Sequence, residues 1–205
     1  MIDPIERFGG IDIYLFDQVQ RGRIVPGMTV LDAGSGSGRN LIYFLGAGYR
    51  VLAADASADA IGALQASAAE FAPGIPPENF RVEPIEAMTF PDQIADVVIS
   101  NAVLHFARDD AHFWAMLRGS WRVLRPGGLF FCRLASAIGS EHLVDPIGGR
   151  RYRLPDGSER YLMDEALLLD ATERLGGELA DPLKTTLVHH QRSMTTWVVR
   201  KQPAT

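Results

Sequence analysis

The sequence predicts an α/β fold: a doubly wound, mostly parallel seven-stranded sheet closed at its C-terminal end by an antiparallel hairpin. Three observations predict it. Short apolar runs recur along the first two thirds of the chain, segments with helical spacing separate them, and the last third ends in two β-rich runs joined by a short turn.

The first element is a helix over 11–22, where Ile11, Leu15, Gln18, Val19 and Gly22 have the spacing of one helical face laid over a sheet. The runs 28–33 (MTVLDA), 49–54 (YRVLAA), 79–84 (NFRVEP), 95–100 (ADVVIS) and 128–135 (GLFFCRLA) read as buried parallel strands, apolar without strict alternation. Between them Leu41, Phe44 and Leu45, then Ile61, Leu64 and Ala68, then Phe113, Leu117, Trp121 and Leu124 carry helical spacing. Residues 136–163 form a long connection with Pro146, Gly148 and Gly149, and the turn Pro155-Asp156-Gly157 between RYRL and ERYLM predicts a short hairpin. A helix from Asp164 to Leu175 stops at Gly176-Gly177, and LKTTLVHH and MTTWVVRK, joined at Gln191-Arg192, form the closing hairpin.

A length of 205 residues fits one domain, expected as an N-terminal helical cap (1–27), a ligand-binding core (28–135), a substrate lid (136–163) and a closing helix and hairpin (164–205). With 47% hydrophobic and 22% charged residues, the chain has enough apolar surface for a core and is not of the disordered class. Its 20 Lys and Arg against 25 Asp and Glu give a charge of -5, so no global positive field draws it to nucleic acid or an anionic membrane, and a small-molecule partner is expected. The lone Cys132 excludes an intrachain disulfide framework. The start MIDPIERFGG lacks the basic and apolar regions of a secretion signal, and no run approaches the roughly 20 apolar residues of a membrane span, so a cytoplasmic protein is expected.

Ligands of such sheets sit beyond the carboxyl ends of the strands. There the segment Val30 to Asn40, VLDAGSGSGRN, runs from strand through a Gly-rich turn into a helix, and Gly34, Gly36 and Gly38 let backbone approach a ligand closely. The sixth position from Gly34 is Arg39, so the spacing is G-x-G-x-G and not the G-x-G-x-x-G of dinucleotide sites, which counts against an NAD-dependent oxidoreductase. Asp32 would oppose a phosphate at the helix start and favours a cationic group. Asp55 follows 23 positions later, near the spacing of an acidic residue that takes ribose hydroxyls. Together the two carboxylates point to a nucleoside ligand without phosphates.

Through VLDAGSGSG, Asp55 in VLAAD, ADVVISNAVLHF and WRVLRPGGLFF, all within 28–135, the sequence resembles the class I S-adenosylmethionine-dependent methyltransferases. GRN after the glycines, the N-terminal FGGIDIYLFDQ and the small size are similar, more narrowly, to tellurite-resistance-type and related small-molecule methyltransferases. The resemblance implies a Rossmann-like fold, S-adenosylmethionine as cofactor and S-adenosylhomocysteine as product, in-line methyl transfer to a small acceptor, and no metal. It implies Asp32 and Gly34 near the methionine amino group, Gly36 and Gly38 beneath the nucleoside, Asp55 on the ribose hydroxyls and Ala56 on the adenine face, with Ser35 and Asn40 in the same cofactor-binding turn. Where many relatives carry an Asp for the adenine amino group, this chain has Pro84 followed by Ile85 and Glu86, and Glu86 is the candidate substitute. Asn101 and Ala102 fall beside the methionine portion. The amide-methylating signature, Asn or Asp followed by two prolines and an aromatic residue, is absent.

His105 is the candidate catalytic residue, projecting toward the acceptor: a general base, with an unperturbed pKa of about 6.5, for a hydroxyl or ammonium acceptor, and an orienting group for a soft anion. Arg108-Asp109-Asp110 reads as a helix start with an Asp N-cap, which leaves His105 outside the helix and breaks a metal reading of His105, Asp109 and His112. Tyr152 and Arg153, among Arg150, Arg151, Arg160 and Tyr161, are candidates for binding an anionic or aromatic substrate, against the alternative of a solvated hairpin. Tyr14 and Asp17, with Gln18, are candidates for closing over the ligand, against plain packing on the sheet. His189 and His190, adjacent in an expected strand, would point to opposite faces, and Cys132 reads as an inert core thiol. A cofactor-binding protein without catalysis is the rival from another class.

Overall fold

The computed structural model describes residues 8–203, so the first seven residues of the expected N-terminal cap lie outside the described residues. Five strands, β1 (Thr29–Ala33), β2 (Arg50–Asp55), β3 (Phe80–Val82), β4 (Ala95–Asn101) and β5 (Leu124–Ser136), pair in parallel. A small antiparallel sheet follows, formed by β6 (Asp145–Gly148), β7 (Arg151–Arg153) and β8 (Glu159–Tyr161). The last strands, β9 (Gly177–Leu179), β10 (Lys184–Val188) and β11 (Arg192–Lys201), join the main sheet antiparallel. Its order is β10-β11-β5-β4-β1-β2-β3, with β9 also on β11, so the chain winds outward from β1 and then returns to β4 on its other side. That reversal is where such sheets open a crevice.

Burial explains why the parallel strands show no alternation: every residue of β1 and of β4 is buried, because helices cover both faces. On one face Val30, Val51, Val97 and Phe131 pack with Leu15, Phe44, Ile61 and Leu64 from α1 (Ile13–Gln20), α2 (Ile42–Gly46) and α3 (Ala58–Phe71). On the other Leu31, Leu52, Val98 and Phe130 pack with Phe113, Leu117 and Leu168 from α4 (Asp110–Val123) and α5 (Glu165–Arg174). Four helix starts are set by side-chain caps that accept a backbone N–H, Asp12, Ser57, Asp109 and Asp164. Asp109 does cap α4, through His112 N–H at 2.7 Å, and His105 lies in a separate turn, Leu104–Phe106.

The expected hairpin at Pro155-Asp156-Gly157 is the β7–β8 turn, to which β6 adds a third strand not foreseen. The closing hairpin turns at His189–Gln191 rather than at Gln191-Arg192, and His190 takes a φ of +51° there. The two histidines therefore do not alternate across a strand; their ring centroids are 3.8 Å apart. Strand β5 starts at Leu124 and not at residue 128, running through Arg125-Pro126-Gly127 past a register shift between Ala95 and Val97 of β4. Among the described residues no helix is long and apolar enough to cross a membrane.

Two of the three turn glycines serve packing. Gly34 has a φ of +88° and a Cβ there would lie 2.5 Å from Val103 Cγ2; Gly38 has a φ of +85° and a Cβ there would run into Leu64 Cδ1. Gly38→Ala is thus expected to cost about 2 to 4 kcal/mol, combining a left-handed backbone penalty with overpacking of α3, read as a lowered denaturant midpoint at unchanged m-value.

Candidate active site

Beyond the carboxyl ends of β1, β2 and β4 lies a cavity of about 350 Å³. The turn after β1 supplies Gly34 to Ser37, Arg39 and Asn40; the end of β2 supplies Asp55; and the segment after β4 supplies Asn101, Ala102, Val103 and Phe106. Gly36 is the open glycine of the turn: apart from its own chain neighbours, no atom of the described residues lies within 4 Å of where its Cβ would stand. Its N–H donates to Asp55 Oδ2 at 2.8 Å, and Ser57 N–H donates to Oδ1 at 2.9 Å. Each carboxylate oxygen keeps lone-pair capacity for a further donor.

Beneath this floor Asp32, 1% exposed, has neither carboxylate oxygen in good hydrogen-bonding geometry with any group of the described residues. Burial lifts its pKa to about 7; Arg39 opposes that rise, Asp55 adds to it, and the Asn40 amide opposes it. All three of those side chains line the cavity, so Asp32 senses whatever charge enters there. Arg39 donates to Asn101 Oδ1 at 3.1 Å, and Asn40 Oδ1 accepts Asp12 N–H at 3.0 Å.

A second cavity of about 280 Å³ shares Ala102 with the first. Ala102 holds a φ of +63°, uncommon without glycine, and its N–H donates to Arg133 O at 2.7 Å. Around it stand His105, Arg133 and Ala135, then Leu154, Asp156, Ser158 and Arg160 from the β7–β8 hairpin, then Val188, Arg192 and Met194 from the closing hairpin. His105 is 6% exposed, and its Nδ1 accepts Ala135 N–H at 3.0 Å, which places the proton of the neutral ring on Nε2. Burial, with the Arg160 charge, lowers its pKa to about 4 rather than the ordinary 6.5 expected from sequence.

Asp32, Gly34, Ser35, Gly36, Asn40, Asp55, Asn101 and Ala102 are thus gathered at or directly under one cavity, and His105 at the other. Gly38 backs the turn against Leu64. Ala56, Ile85 and Glu86 line neither cavity: Ala56 is exposed, Ile85 is buried in the core, and Glu86 Oε1 lies 3.1 Å from His112 Nε2. Tyr14 and Asp17 also line neither; Tyr14 Oη is 2.8 Å from Thr186 Oγ1, and Asp17 pairs with Arg21 at 2.9 Å. Within the predicted lid, Arg153 is tied to Glu159 at 3.2 Å and Tyr152 packs against Leu154 and Leu162, while the neighbouring Arg160 reaches the cavity. Arg133 and Arg192 were not anticipated. The available signal for Arg133 was a charge inside the otherwise apolar run GLFFCRLA; its guanidinium meets Asp12 at 3.0 Å.

A parallel sheet with this strand order, a G-x-G-x-G turn, acidic residues ending β1 and β2, and an antiparallel last strand beside β5 together define a class. The chain belongs to the class I S-adenosylmethionine-dependent methyltransferase superfamily, and residues 31–132 match the family model described as a methyltransferase domain. It is 31% identical over 146 residues to an arsenite methyltransferase of Aquipseudomonas alcaligenes, covering 63% of this chain and 41% of that protein. It is 33% identical over 148 residues to a malonyl-[acyl-carrier protein] O-methyltransferase of Yersinia pestis, covering 71% of this chain and 49% of that one. The chain therefore spans less than half the length of either relative. A Burkholderia thailandensis 1,6-didemethyltoxoflavin-N1-methyltransferase, solved with bound 1,6-didemethyltoxoflavin and S-adenosylhomocysteine, has the same fold, with a TM-score of 0.69, 20% identity, and coverage of 92% of this chain and 76% of that one.

Proposed function

We propose that the protein binds S-adenosylmethionine in the first cavity and transfers its methyl group to a small molecule held in the second. One observation carries this reading: Asp32, a buried carboxylate with no well-formed hydrogen bond or ion pair among the described residues, underlies a glycine turn whose middle residue, Gly36, opens onto the cavity. An amino acid ammonium satisfies such a carboxylate, and a pyrophosphate does not. Asp55, already oriented by two backbone N–H groups, is set to accept from ribose hydroxyls.

When bound, the sulfonium supplies an activated methyl group. The chain's part is placement: Asp32 and Asp55 fix the two ends of the nucleoside amino acid, Ala102 marks the junction where the two cavities meet, and the hairpin carrying Arg160 roofs the acceptor side. Holding a nucleophile in line supplies about 7 to 11 kcal/mol of a barrier, enough to make positioning the main device.

Calorimetry with S-adenosylmethionine, S-adenosylhomocysteine and NAD tests the reading; tighter NAD binding would refute it. Asp55→Ala is expected to lose about 1.5 to 3 kcal/mol of S-adenosylmethionine affinity, as the charge-assisted hydrogen bonds to the ribose disappear. Unchanged affinity in a folded variant would remove Asp55 from the site.

A further inference from the structure

The second cavity is unusually cationic for a protein of charge -5. Three guanidiniums line it, Arg133, Arg160 and Arg192, against one carboxylate, Asp156. Arg133 is matched by Asp12. Among the described residues, no carboxylate lies within ion-pair distance of Arg160 or Arg192, since the nearby Glu159 is taken by Arg151 at 2.7 Å and Arg153 at 3.2 Å. Arg160 is steadied instead by Glu159 O at 2.8 Å and by the Phe106 ring at 4.8 Å. The Asp156 carboxylate feels both Arg160 and Arg192 from beyond ion-pair distance, so two guanidiniums share one carboxylate and the lining keeps a positive excess. His105 adds an N–H donor at Nε2.

No lining group is suited to remove a proton near neutral pH. The ring of His105 presents a donor, and Asp156 accepts Ser158 N–H at 2.9 Å and the Ser158 hydroxyl at 2.6 Å, which hold its pKa below the usual carboxylate range. An acceptor that must shed a proton, such as an ammonium, an alcohol or an ordinary thiol, would find no base. Ala135, Leu154, Val188 and Met194 give the rest of the wall an apolar surface.

We infer that the acceptor is a small carboxylic acid, bound as its anion by Arg160, Arg192 and the Nε2–H of His105, and methylated on a carboxylate oxygen. This rests on the methyltransferase reading above. A lone pair of the carboxylate oxygen forms the new O–CH3 bond as the S–CH3 bond breaks and its electron pair returns to sulfur; no proton moves. The product is a neutral ester, which no longer attracts the guanidiniums that held the substrate and so leaves. A volume near 280 Å³ lies at the small end of ligand pockets, which suits an acid with a short hydrocarbon body.

Benzoate and hexanoate, against benzamide and hexanamide, probe the cavity in the protein saturated with S-adenosylhomocysteine, by calorimetry or ligand-observed NMR. The carboxylates are expected to bind at least about tenfold tighter than the amides, the difference falling severalfold in Arg192→Gln and vanishing in Arg160→Gln/Arg192→Gln, while Arg153→Ala leaves it intact. Equal binding of acids and amides, no binding of either, or a preference that survives the double variant would overturn the inference. Arg192 is exposed, so its single variant reads the cavity even if the double variant folds poorly. The same samples titrated with S-adenosylhomocysteine separate the two levels: absence of that binding defeats the methyltransferase reading, whereas normal binding with no acid preference defeats only the acceptor. A product labelled from deuterated S-adenosylmethionine is expected to release methanol in alkali, and an alkali-stable product overturns the carboxylate assignment.

Discussion

Asp32→Asn is expected to weaken S-adenosylmethionine binding about tenfold to a hundredfold at pH 8, to flatten its dependence on pH, and to make the free protein more stable. The affinity loss is that of one charge-assisted hydrogen bond, about 1.5 to 3 kcal/mol. The pH dependence follows from a folded-state pKa of about 7: below it Asp32 takes up a proton and can no longer pair with an ammonium, so wild-type affinity falls toward tenfold per unit as pH drops. The stability change has the opposite sign. A carboxyl whose pKa is raised from 3.8 in the unfolded chain binds its proton more tightly when folded, so stability declines as pH rises from about 4 through about 7, and the whole cost is present above that. A neutral amide of the same shape removes a penalty of about 2 to 4 kcal/mol above pH 7 and almost none at pH 4. Denaturant midpoints and calorimetric Kd values at pH 4, 6, 7 and 8 check both arms. A variant that gains no stability at pH 8, or a wild-type affinity flat between pH 6 and 8, would contradict the account. The trade is the expected one for a site that holds a charge ready for its ligand.

Why Asp32 was legible in the sequence and the acceptor cavity was not has a physical reason. The cofactor side is built from one contiguous turn and the ends of adjacent parallel strands, so local spacing carries it: three glycines, Asp32 and Asp55. The acceptor side is assembled across the chain, from β5, the β7–β8 hairpin and β11, where antiparallel pairing brings Arg133 opposite Thr196. Tyr152, Arg153 and Arg160 stand on neighbouring positions of one hairpin, and the register that sends Arg160 toward the cavity while Arg153 meets Glu159 follows from β7–β8 pairing, which a run of arginines does not encode. The same limit applies to Glu86. Its place in sequence after β3 fits an adenine contact, but packing of the turn Ile85–Ala87 on α4, where a Cβ on Gly119 would run into Ile85 O, brings it to His112.

His105→Ala is expected to leave S-adenosylmethionine affinity unchanged and to lower kcat/KM for the acceptor about tenfold to a hundredfold, the value of one hydrogen bond to a charged group. A general base would be worth more, about 10² to 10⁴ in turnover, and would imprint its own pKa on the rate. The geometry argues for the smaller effect. With Nδ1 occupied by Ala135 N–H and a pKa near 4, the ring stays neutral and donating across the whole useful pH range. An acid limb near pH 7 is nevertheless expected in kcat/KM for S-adenosylmethionine, because Asp32 titrates there in the free protein. That limb should persist in His105→Ala and disappear in Asp32→Asn, and it should weaken at saturating cofactor, where the ammonium holds Asp32 ionised. The alanine variant also orphans the buried Ala135 N–H, costing about 1 to 3 kcal/mol of stability, so its folding must be checked by denaturation. His105→Asn offers a side-chain oxygen to that N–H and an amide donor to the cavity, and is expected to recover most of the stability and part of the rate. A limb near pH 6.5 at saturating cofactor, present in the wild type and lost in both histidine variants, would instead make His105 a base and the acceptor a protonated one.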